Sequence, residues 1–357
     1  MAYLKILFIT NSLGKGGGER VVANLANEMR KEHEVCIISV YADVFYELDN
    51  QISFYSLNQE KNKIKKFLSY FCLKKKLNIL VRKLEKEKEY DIITVHLPFA
   101  HLVVRNTYFS HRSFFVIHTV YSQKASLNVG RVILKYLYNN RDLIAVSEGV
   151  KSEITRTFKV KYRRILMISN PIDIALITRN GKEFIDVDYK YILGVGRLTE
   201  IKRFDLLIKA FSNSHAKEKY KLVLIGEGSE EIKLMELSSK LGIEDKIEFK
   251  GWQSNPYKWM RGADLMVITS QYESFSMTML EALACGTIVL SVDCDYGPRE
   301  ILTNELKPFL ISDDSVESIA NSIDQSLCNS LNDVTKHVLR YDIGQIATKY
   351  LEVTHGK

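Results

Sequence analysis

Proline and cysteine are scarce in this chain of 357 residues, five of each, and each shortage removes a class of protein. The cysteines, Cys36, Cys72, Cys285, Cys294 and Cys328, are odd in number, scattered and nowhere spaced Cys-x-x-Cys. That speaks against a disulfide framework or a structural zinc site and fits a reducing cytosol. With only 18 glycines beside the five prolines, no low-complexity linker or disordered tail is written into the composition. No apolar run reaches the length of a membrane span. The apolar start Leu4 to Thr10 is short, lacks a small-residue cleavage site and runs into Gly14-Lys15-Gly16-Gly17-Gly18, so it reads as a first strand and not as a signal peptide. A complete dinucleotide fingerprint is missing too. Glu19, Thr199 and Glu231 stand where the turns at Gly14, Gly194 and Gly226 would need their third glycine, and no Walker A pattern occurs. Hydride transfer and P-loop chemistry are thereby disfavoured.

What is present is a soluble, globular composition, 46% hydrophobic and 26% charged, at a length suited to two domains. Apolar runs at Leu4–Thr10, Glu34–Val40, Ile52–Leu57, Asp91–His96, Phe114–Val120, Asp142–Ser147 and Ile165–Asn170 alternate mostly with helical patterns, the mark of parallel βα units. After a polar patch at 180–188 the pattern restarts, with Tyr191–Gly196, Lys221–Gly226, Ile247–Trp252, Leu265–Ser270 and Thr287–Val292. Two Rossmann-like α/β domains follow, 1–174 and 175–340. The formal charge of +7 divides unevenly: residues 1–170 carry 28 Lys+Arg against 15 Asp+Glu, the remainder 22 against 28.

The stretch Glu273 to Glu281 organises the second half. Asp264 to Ser270 reads as a buried parallel strand and Ser276 onward as a helix closing at Gly286, which puts Glu273 in a strand-to-helix turn. Ligands bind at such turns in open α/β sheets, and a helix start offers free N–H groups and a positive dipole end to a phosphate. Glu281 lies about 7.5 Å further along the axis, among Met279, Leu280, Ala282, Leu283, Ala284 and Cys285, so it should be buried and need a donor or ligand. An acid such as Glu273, taken alone, more often complements the macrodipole than does chemistry.

Other candidates are weaker one by one. Gly16, Gly17 and Gly18 precede a helix and allow close backbone approach, or make a plain tight turn. Arg197 and Lys202 follow a strand and would supply cations to a departing diphosphate. His118 ends Phe115-Val116-Ile117 and could touch a sugar or acceptor, or be a satisfied core histidine. Residues 61–88 are strongly cationic, with Ile64, Phe67, Leu68, Phe71, Leu73, Leu77, Leu80, Val81 and Leu84 at helical spacing. Such helices could rest on anionic lipid, or simply cover the sheet.

Together, Gly17-Gly18-Glu19-Arg20, Ala145-Val146-Ser147, Ser169-Asn170-Pro171-Ile172-Asp173, Gly196-Arg197-Leu198 with Lys202, Ile225-Gly226-Glu227-Gly228, and Glu273-Ser274-Phe275 with Glu281-Ala282 make the chain resemble the retaining glycosyltransferases of the GT-B fold, group 1 or family four. The resemblance implies that Glu273 contacts the transferred sugar, Glu281 holds the ribose, and Arg197 and Lys202 bind the diphosphate. It further implies that Gly16, Gly17, Gly226 and Ser274, Phe275, Ser276 and Met277 complete the donor site, with His118 near the sugar and acceptor. The family commonly has glycine where Ser276 stands. Residues 341–357 look like its final helix, returning to the first domain. Asp293-Cys294-Asp295 imitates a metal-binding Asp-x-Asp, but the second Rossmann-like half points away from the fold that uses it. Asp293 to Glu300 is similar to a segment of members that build capsule, O-antigen or teichoic acid from UDP-sugars. The expectation is therefore a cytoplasmic, inner-face, metal-independent transferase with no cofactor beyond its UDP-sugar donor, a lipid-linked or glycan acceptor and no nucleic-acid partner. A sugar phosphorylase or epimerase of the same fold and a basic nucleic-acid-binding protein are the alternatives.

Overall fold

Runs of isoleucine, valine and leucine without a polar face are stable only as strands covered on both sides. The computed structural model describes residues 3–58, 63–121, 127–329, 331 and 333–353, with 63–69, 127 and 295 described by their backbone. It divides into two compact units, Met1–Ile172 with Tyr341–Lys357, and Asp173–Arg340.

In the first unit, strands β1 (Lys5–Thr10), β2 (Glu34–Ser39), β3 (Ser53–Ser56), β4 (Ile92–His96), β5 (Ser113–Ile117), β6 (Asp142–Ala145) and β7 (Arg164–Met167) form one sheet. Its order is β3-β2-β1-β4-β5-β6-β7, and all its pairs are parallel. Every residue of β1, β4, β5 and β6 is buried. The helices are α1 (Gly17–Arg30), α2 (Lys63–Leu84), α3 (Pro98–Val104), α4 (Leu127–Tyr138) and α5 (Glu148–Ser152). Local chemistry sets their starts. Pro98 occupies the first turn of α3, and Ser147 Oγ accepts from Val150 N at 3.1 Å to cap α5. Of the apolar residues of α2, Leu73, Leu77 and Val81 are buried, whereas Phe71, expected on the same face, is 74% exposed. Lys61 and Asn62 lie outside the described residues, as do the side chains of 63–69.

In the second unit, α6 (Ile174–Gly181) comes first, capped by Asp173 Oδ1 accepting from Leu176 N at 2.8 Å. The polar residues 180–188 thus belong to this unit, where Asn255 Nδ2 donates to Asn180 O at 2.9 Å. Strands β8 (Tyr191–Val195), β9 (Lys221–Ile225), β10 (Ile247–Phe249), β11 (Leu265–Ile268), β12 (Tyr272–Glu273), β13 (Val289–Val292), β14 (Asp295–Tyr296) and β15 (Leu310–Ile311) follow. Six make a parallel sheet in the order β10-β9-β8-β11-β13-β15, and β12 pairs separately with β14. Helices α7 (Phe204–Asn213), α8 (Glu231–Lys240), α9 (Tyr257–Gly262), α10 (Met277–Ala284), α11 (Gly297–Ile301) and α12 (Val316–Cys328) complete it. The chain then returns to the first unit as α13 (Ile343–Leu351), which packs against α1. Ile172 N donates to Tyr341 O at 2.9 Å where the two crossing segments meet. Residues 354–357 lie outside the described residues.

All twelve expected strand runs contain strands. The short β12, β14 and β15 were not anticipated, since two residues carry no periodic pattern.

Candidate functional site

Strand order locates a site in each unit. In the second unit β8, β9 and β10 run one way across the sheet while β11, β13 and β15 run the other, so the direction of winding switches between β8 and β11. Loops leaving the carboxyl ends of two such neighbours part and open a crevice. The loop after β8 carries Gly196, Arg197 and Lys202; the segment after β11 carries Ser270, Glu273 and Ser276.

These loops are pinned. Thr269 Oγ1 donates to Arg203 O at 2.9 Å and Lys202 O at 3.2 Å, and Gln271 N donates to Ile201 O at 2.8 Å. Arg203 is left-handed at φ 49°, a conformation costing a non-glycine residue about 1 kcal/mol or more. The result is close contact: Lys202 Nζ stands 2.5 Å from Glu273 Oε1, which also accepts from Ser270 Oγ at 2.8 Å. Glu273 is further fixed from β14. Its partner there, Tyr296, is left-handed at φ 76°, and a Cβ on Gly297 would come within 3.1 Å of Glu273 Cβ and 3.2 Å of Ser276 N. Strain gathered around one carboxylate marks a position held against its local preference.

Around this pair the remaining candidates take distinct places. Arg197 is exposed, with no ion-pair partner among the described residues. Gly226, at φ 136°, holds the loop in place, since a Cβ there would sit 1.9 Å from Gly196 O. Ser276 is the residue before α10; it caps no amide, and its hydroxyl is buried without a hydrogen-bond partner among the described residues. The first-turn amides of α10 therefore receive no side-chain cap, and with Met277 starting the helix they are free to meet an anion. Phe275 is buried, and Ser274 and Met277 are half-buried. Glu281, just over one turn into α10, is 2% exposed. Its charge adds to burial in pushing the Cys285 thiol up to about 12; Cys294 is likewise pushed up to about 12 by burial and then by Glu273. In the Asp-x-Asp imitation, Asp293 is paired with Arg299 Nε at 2.9 Å, and the Asp295 side chain lies outside the described residues. Among the described residues no three His, Cys, Asp or Glu side chains converge as a metal site.

The first unit switches between β1 and β4. Gly16, Gly17 and Gly18 stand after β1 at the start of α1, which has no side-chain cap, and a Cβ on Gly17 would meet nothing within 4 Å. A Cβ on Gly18 would lie 2.9 Å from Leu97 Cδ2 and 3.7 Å from the His118 ring. His118 follows β5, and its Nε2 lies 2.9 Å from Nδ1 of His96, the last residue of β4. His96 Nε2 in turn meets Thr94 Oγ1 at 3.1 Å. Burial holds all three nearby imidazoles neutral: His118 falls to about 4, His101 to about 3, and His96 well below its ordinary value, with His118 adding to the effect of burial. Sequence reading singled out His118 but not His96, Thr94 or Ser270. For His96 and Ser270 the available signal was a polar residue closing an otherwise apolar run, whereas Thr94 lies inside β4.

The two units coincide with two family models. Residues 15–176 match the Glycosyltransferase Family 4 model, and residues 178–342 match Glycosyl transferases group 1. A Campylobacter jejuni protein, named N-acetylgalactosamine-N,N'-diacetylbacillosaminyl-diphospho-undecaprenol 4-alpha-N-acetylgalactosaminyltransferase, is 31% identical over 332 residues, 90% of this chain and 88% of that one. Among solved structures, Anabaena HepE in complex with UDP-glucose matches with a TM-score of 0.79 at 20% identity, over 99% of this chain and all of the other. A sucrose-phosphate synthase from Thermosynechococcus elongatus matches with a TM-score of 0.80 at 16% identity, over 98% of each chain. These likenesses share the fold, and the 31% identity across nine-tenths of the chain decides the family: the chain is a GT-B glycosyltransferase and belongs to glycosyl transferases group 1.

Proposed function

We propose that the protein is a retaining, metal-independent transferase that moves a hexose or N-acetylhexosamine from a UDP-sugar to a lipid-linked or polysaccharide acceptor in bacterial surface-glycan assembly. The observation that carries this reading is the Lys202–Glu273 contact at a winding switch, beside the uncapped start of α10. A diphosphate placed there would meet Lys202, Arg197 and the α10 amides, of which Lys202 and the amides are held in place before it arrives. As the anomeric C–O bond breaks, its electron pair goes to the β-phosphate oxygen and those groups answer the charge. The acceptor hydroxyl forms the new bond on the same face, and its proton passes to the departing diphosphate. Glu273 Oε1 is engaged by Lys202 and Ser270, which suits a carboxylate that orients a sugar better than one that attacks it. Support for the acceptor class comes from the Campylobacter relative, whose name specifies an undecaprenol-linked diphosphate sugar.

Thermal-shift screening against UDP-, GDP- and ADP-sugars tests the donor, and UDP-sugars should stabilise the chain most. Glu281→Ala should weaken UDP about 10- to 100-fold, the loss of a hydrogen bond to a buried charge. An unchanged UDP affinity would remove Glu281 from the ribose. Phosphate-dependent cleavage of an oligosaccharide, or sugar interconversion without an acceptor, would favour the phosphorylase or epimerase instead.

The partner surface is proposed from the first unit. Phe71, Lys74, Lys75, Asn78, Ile79 and Arg82 line one groove on α2. On α4, Val129, Val132, Ile133 and Tyr136 are exposed. Asn106 Nδ2 reaches Tyr136 OH at 2.8 Å and Tyr70 OH at 3.4 Å, tying the two helices together. Exposed apolar groups flanked by cations suit an anionic bilayer at the cytoplasmic face. Reversing Lys74, Lys75 and Arg82 to glutamate should weaken sedimentation with phosphatidylglycerol vesicles by about 100-fold, at ~1 kcal/mol per basic residue. Undiminished sedimentation would place membrane contact elsewhere.

A further inference from the structure

We infer that Arg105, Arg141 and Arg163 form a binding site for a phosphate group at the amino-terminal edge of the first sheet. Parallel strands present all their carboxyl ends on one edge, so this site lies on the edge opposite the loops after β1 and β5 that carry Gly17 and His118. It goes beyond the transferase reading and does not depend on it.

The backbone brings the three arginines together. Arg105 ends α3, Arg141 precedes β6 and Arg163 precedes β7, with Arg163 N donating to Arg141 O at 2.9 Å. Each guanidinium is already held. Arg105 Nε donates to Tyr136 O at 2.7 Å, and the guanidinium carbon lies 5.6 Å from the centre of the Tyr136 ring. Arg141 donates from Nη2 to Arg105 O at 3.0 Å and from Nη1 to Asn140 O at 3.4 Å. Arg163 donates from Nε and Nη2 to the two oxygens of Asp142, at 2.7 and 2.6 Å, and from Nη2 to His111 O at 2.6 Å. A ligand that must order long side chains loses affinity to their entropy, and here the fold has ordered them beforehand.

What the cluster lacks is negative charge. Asp142 serves Arg163 and, at 3.4 Å, Arg164, while Arg112 beside His111 is paired with Glu85 and Glu89. Neither Arg105 nor Arg141 has an ion-pair partner among the described residues. Burial, then Arg105 and then Arg163, push the Arg141 guanidinium below its ordinary value. Like charges held together repel, and an anion among them turns the repulsion into attraction. Arg141 Nε is also buried with no acceptor among the described residues, and an unpaired buried donor is rare in a native fold. Closing the ends of α3 and α4 accounts for Arg105 Nε and Arg141 Nη2, but it leaves Arg141 Nε and both amino groups of Arg105 unused. Three planar forks meeting one anion call for more acceptor oxygens and more charge than a carboxylate carries, and a phosphate has both. A free phosphorylated molecule and a lipid headgroup both offer that group, and the test separates them.

The test titrates the full chain with inorganic pyrophosphate, after UDP has filled the donor site, beside sodium chloride at matched ionic strength. Pyrophosphate should raise the melting temperature well beyond what chloride does, since specific binding adds to screening. Arg141→Gln and Arg105→Gln should each weaken pyrophosphate about tenfold or more and leave UDP affinity unchanged. Without pyrophosphate, Arg141→Gln should melt no lower than the unaltered chain, because it removes a repelled charge. A lower melting point with an unchanged pyrophosphate affinity would make Arg141 structural and overturn the inference. Phosphatidylglycerol vesicles supply the second arm. If both variants sediment about tenfold less with them and pyrophosphate competes, the phosphate is a lipid headgroup. If sedimentation is unchanged while pyrophosphate binding falls, the phosphate is soluble. Equal titrations and equal sedimentation for the unaltered chain and both variants would overturn the inference, as would equal responses to chloride and pyrophosphate. Should Arg141→Gln fail to fold, Arg105→Gln and the salt comparison on the unaltered chain decide. An unaltered chain that does not bind UDP would take down the transferase reading and leave this site standing, with the titration then run without UDP.

Discussion

Glu273→Gln is expected to lower turnover by about 100- to 1,000-fold, the loss typical of one preorganised transition-state contact, while UDP binds more tightly than it does to the unaltered chain. The first half follows if Glu273 orients the transferred sugar. The second half follows from the geometry of the pair, in which Glu273 Oε1 stands 2.5 Å from Lys202 Nζ. A diphosphate needs that ammonium and must compete with the carboxylate for it. The side chains are 26% and 12% exposed, so water screens the pair in part and the competition is worth about 1 kcal/mol, or roughly fivefold in Kd. Glutamine keeps the shape and the acceptor for Ser270 Oγ while removing the charge. Lys202→Ala should weaken UDP and turnover together. Because the two residues act through one contact, the double variant should lose less than the sum of the single losses. Calorimetric titration with UDP beside steady-state kinetics measures all three. Weaker UDP binding by Glu273→Gln with normal turnover would assign the carboxylate to the nucleotide and not to the sugar.

The parallel sheets were legible because most of their strands are written in contiguous apolar residues buried on both faces, as in Ile6 to Ile9. The buried position of Glu281 was legible for a related reason, since its helical neighbours leave no polar stripe for it to join. Contacts between residues far apart in the chain were not. Nothing near Glu273 announces that Tyr296 pairs with it, or that Tyr296 adopts a left-handed backbone to do so. The turn expected at Glu273 is accordingly a two-residue strand. Ser270 reads as the polar end of a strand until the fold turns its hydroxyl toward Glu273. His96 and His118 are 22 residues apart, and only the pairing of β4 with β5 puts their rings in contact. Phe71 shows the opposite failure. Its spacing on α2 matched the buried face, but burial depends on what lies opposite, and spacing alone cannot report that.

Those same histidines give the second large effect: the first unit should lose stability steeply as pH falls below about 6.5, before its carboxylates titrate. His96, His101 and His118 are held neutral by burial, His101 down to about 3 and His118 to about 4. Unfolding exposes them to water, where they titrate near 6.5. Between that value and the folded values the unfolded chain binds protons that the folded chain refuses, so stability rises with pH through this window and is fully present above it. Each such histidine contributes a slope of ~1.4 kcal/mol per pH unit, and three acting together approach ~4. Against a domain stability of about 5–15 kcal/mol, that is enough to unfold the unit between about pH 5 and 4. The second unit follows a different curve. Its Glu248 is lowered to about 2, because hydrogen bonds from Lys221, Lys250 and Tyr189 together outweigh the opposing effect of burial, the largest single influence. The stability it contributes is lost only as pH falls from its ordinary carboxylate value toward about 2. Urea midpoints from pH 7.5 to 4.5, with limited proteolysis to report which unit opens, should show the first unit failing early. His101→Phe removes one titrating group and two hydrogen bonds, to Tyr138 OH and Val95 O. It should lower stability at pH 7.5 and flatten the acid slope by about a third. A slope that stays flat down to pH 5 would mean that these imidazoles accept protons inside the fold.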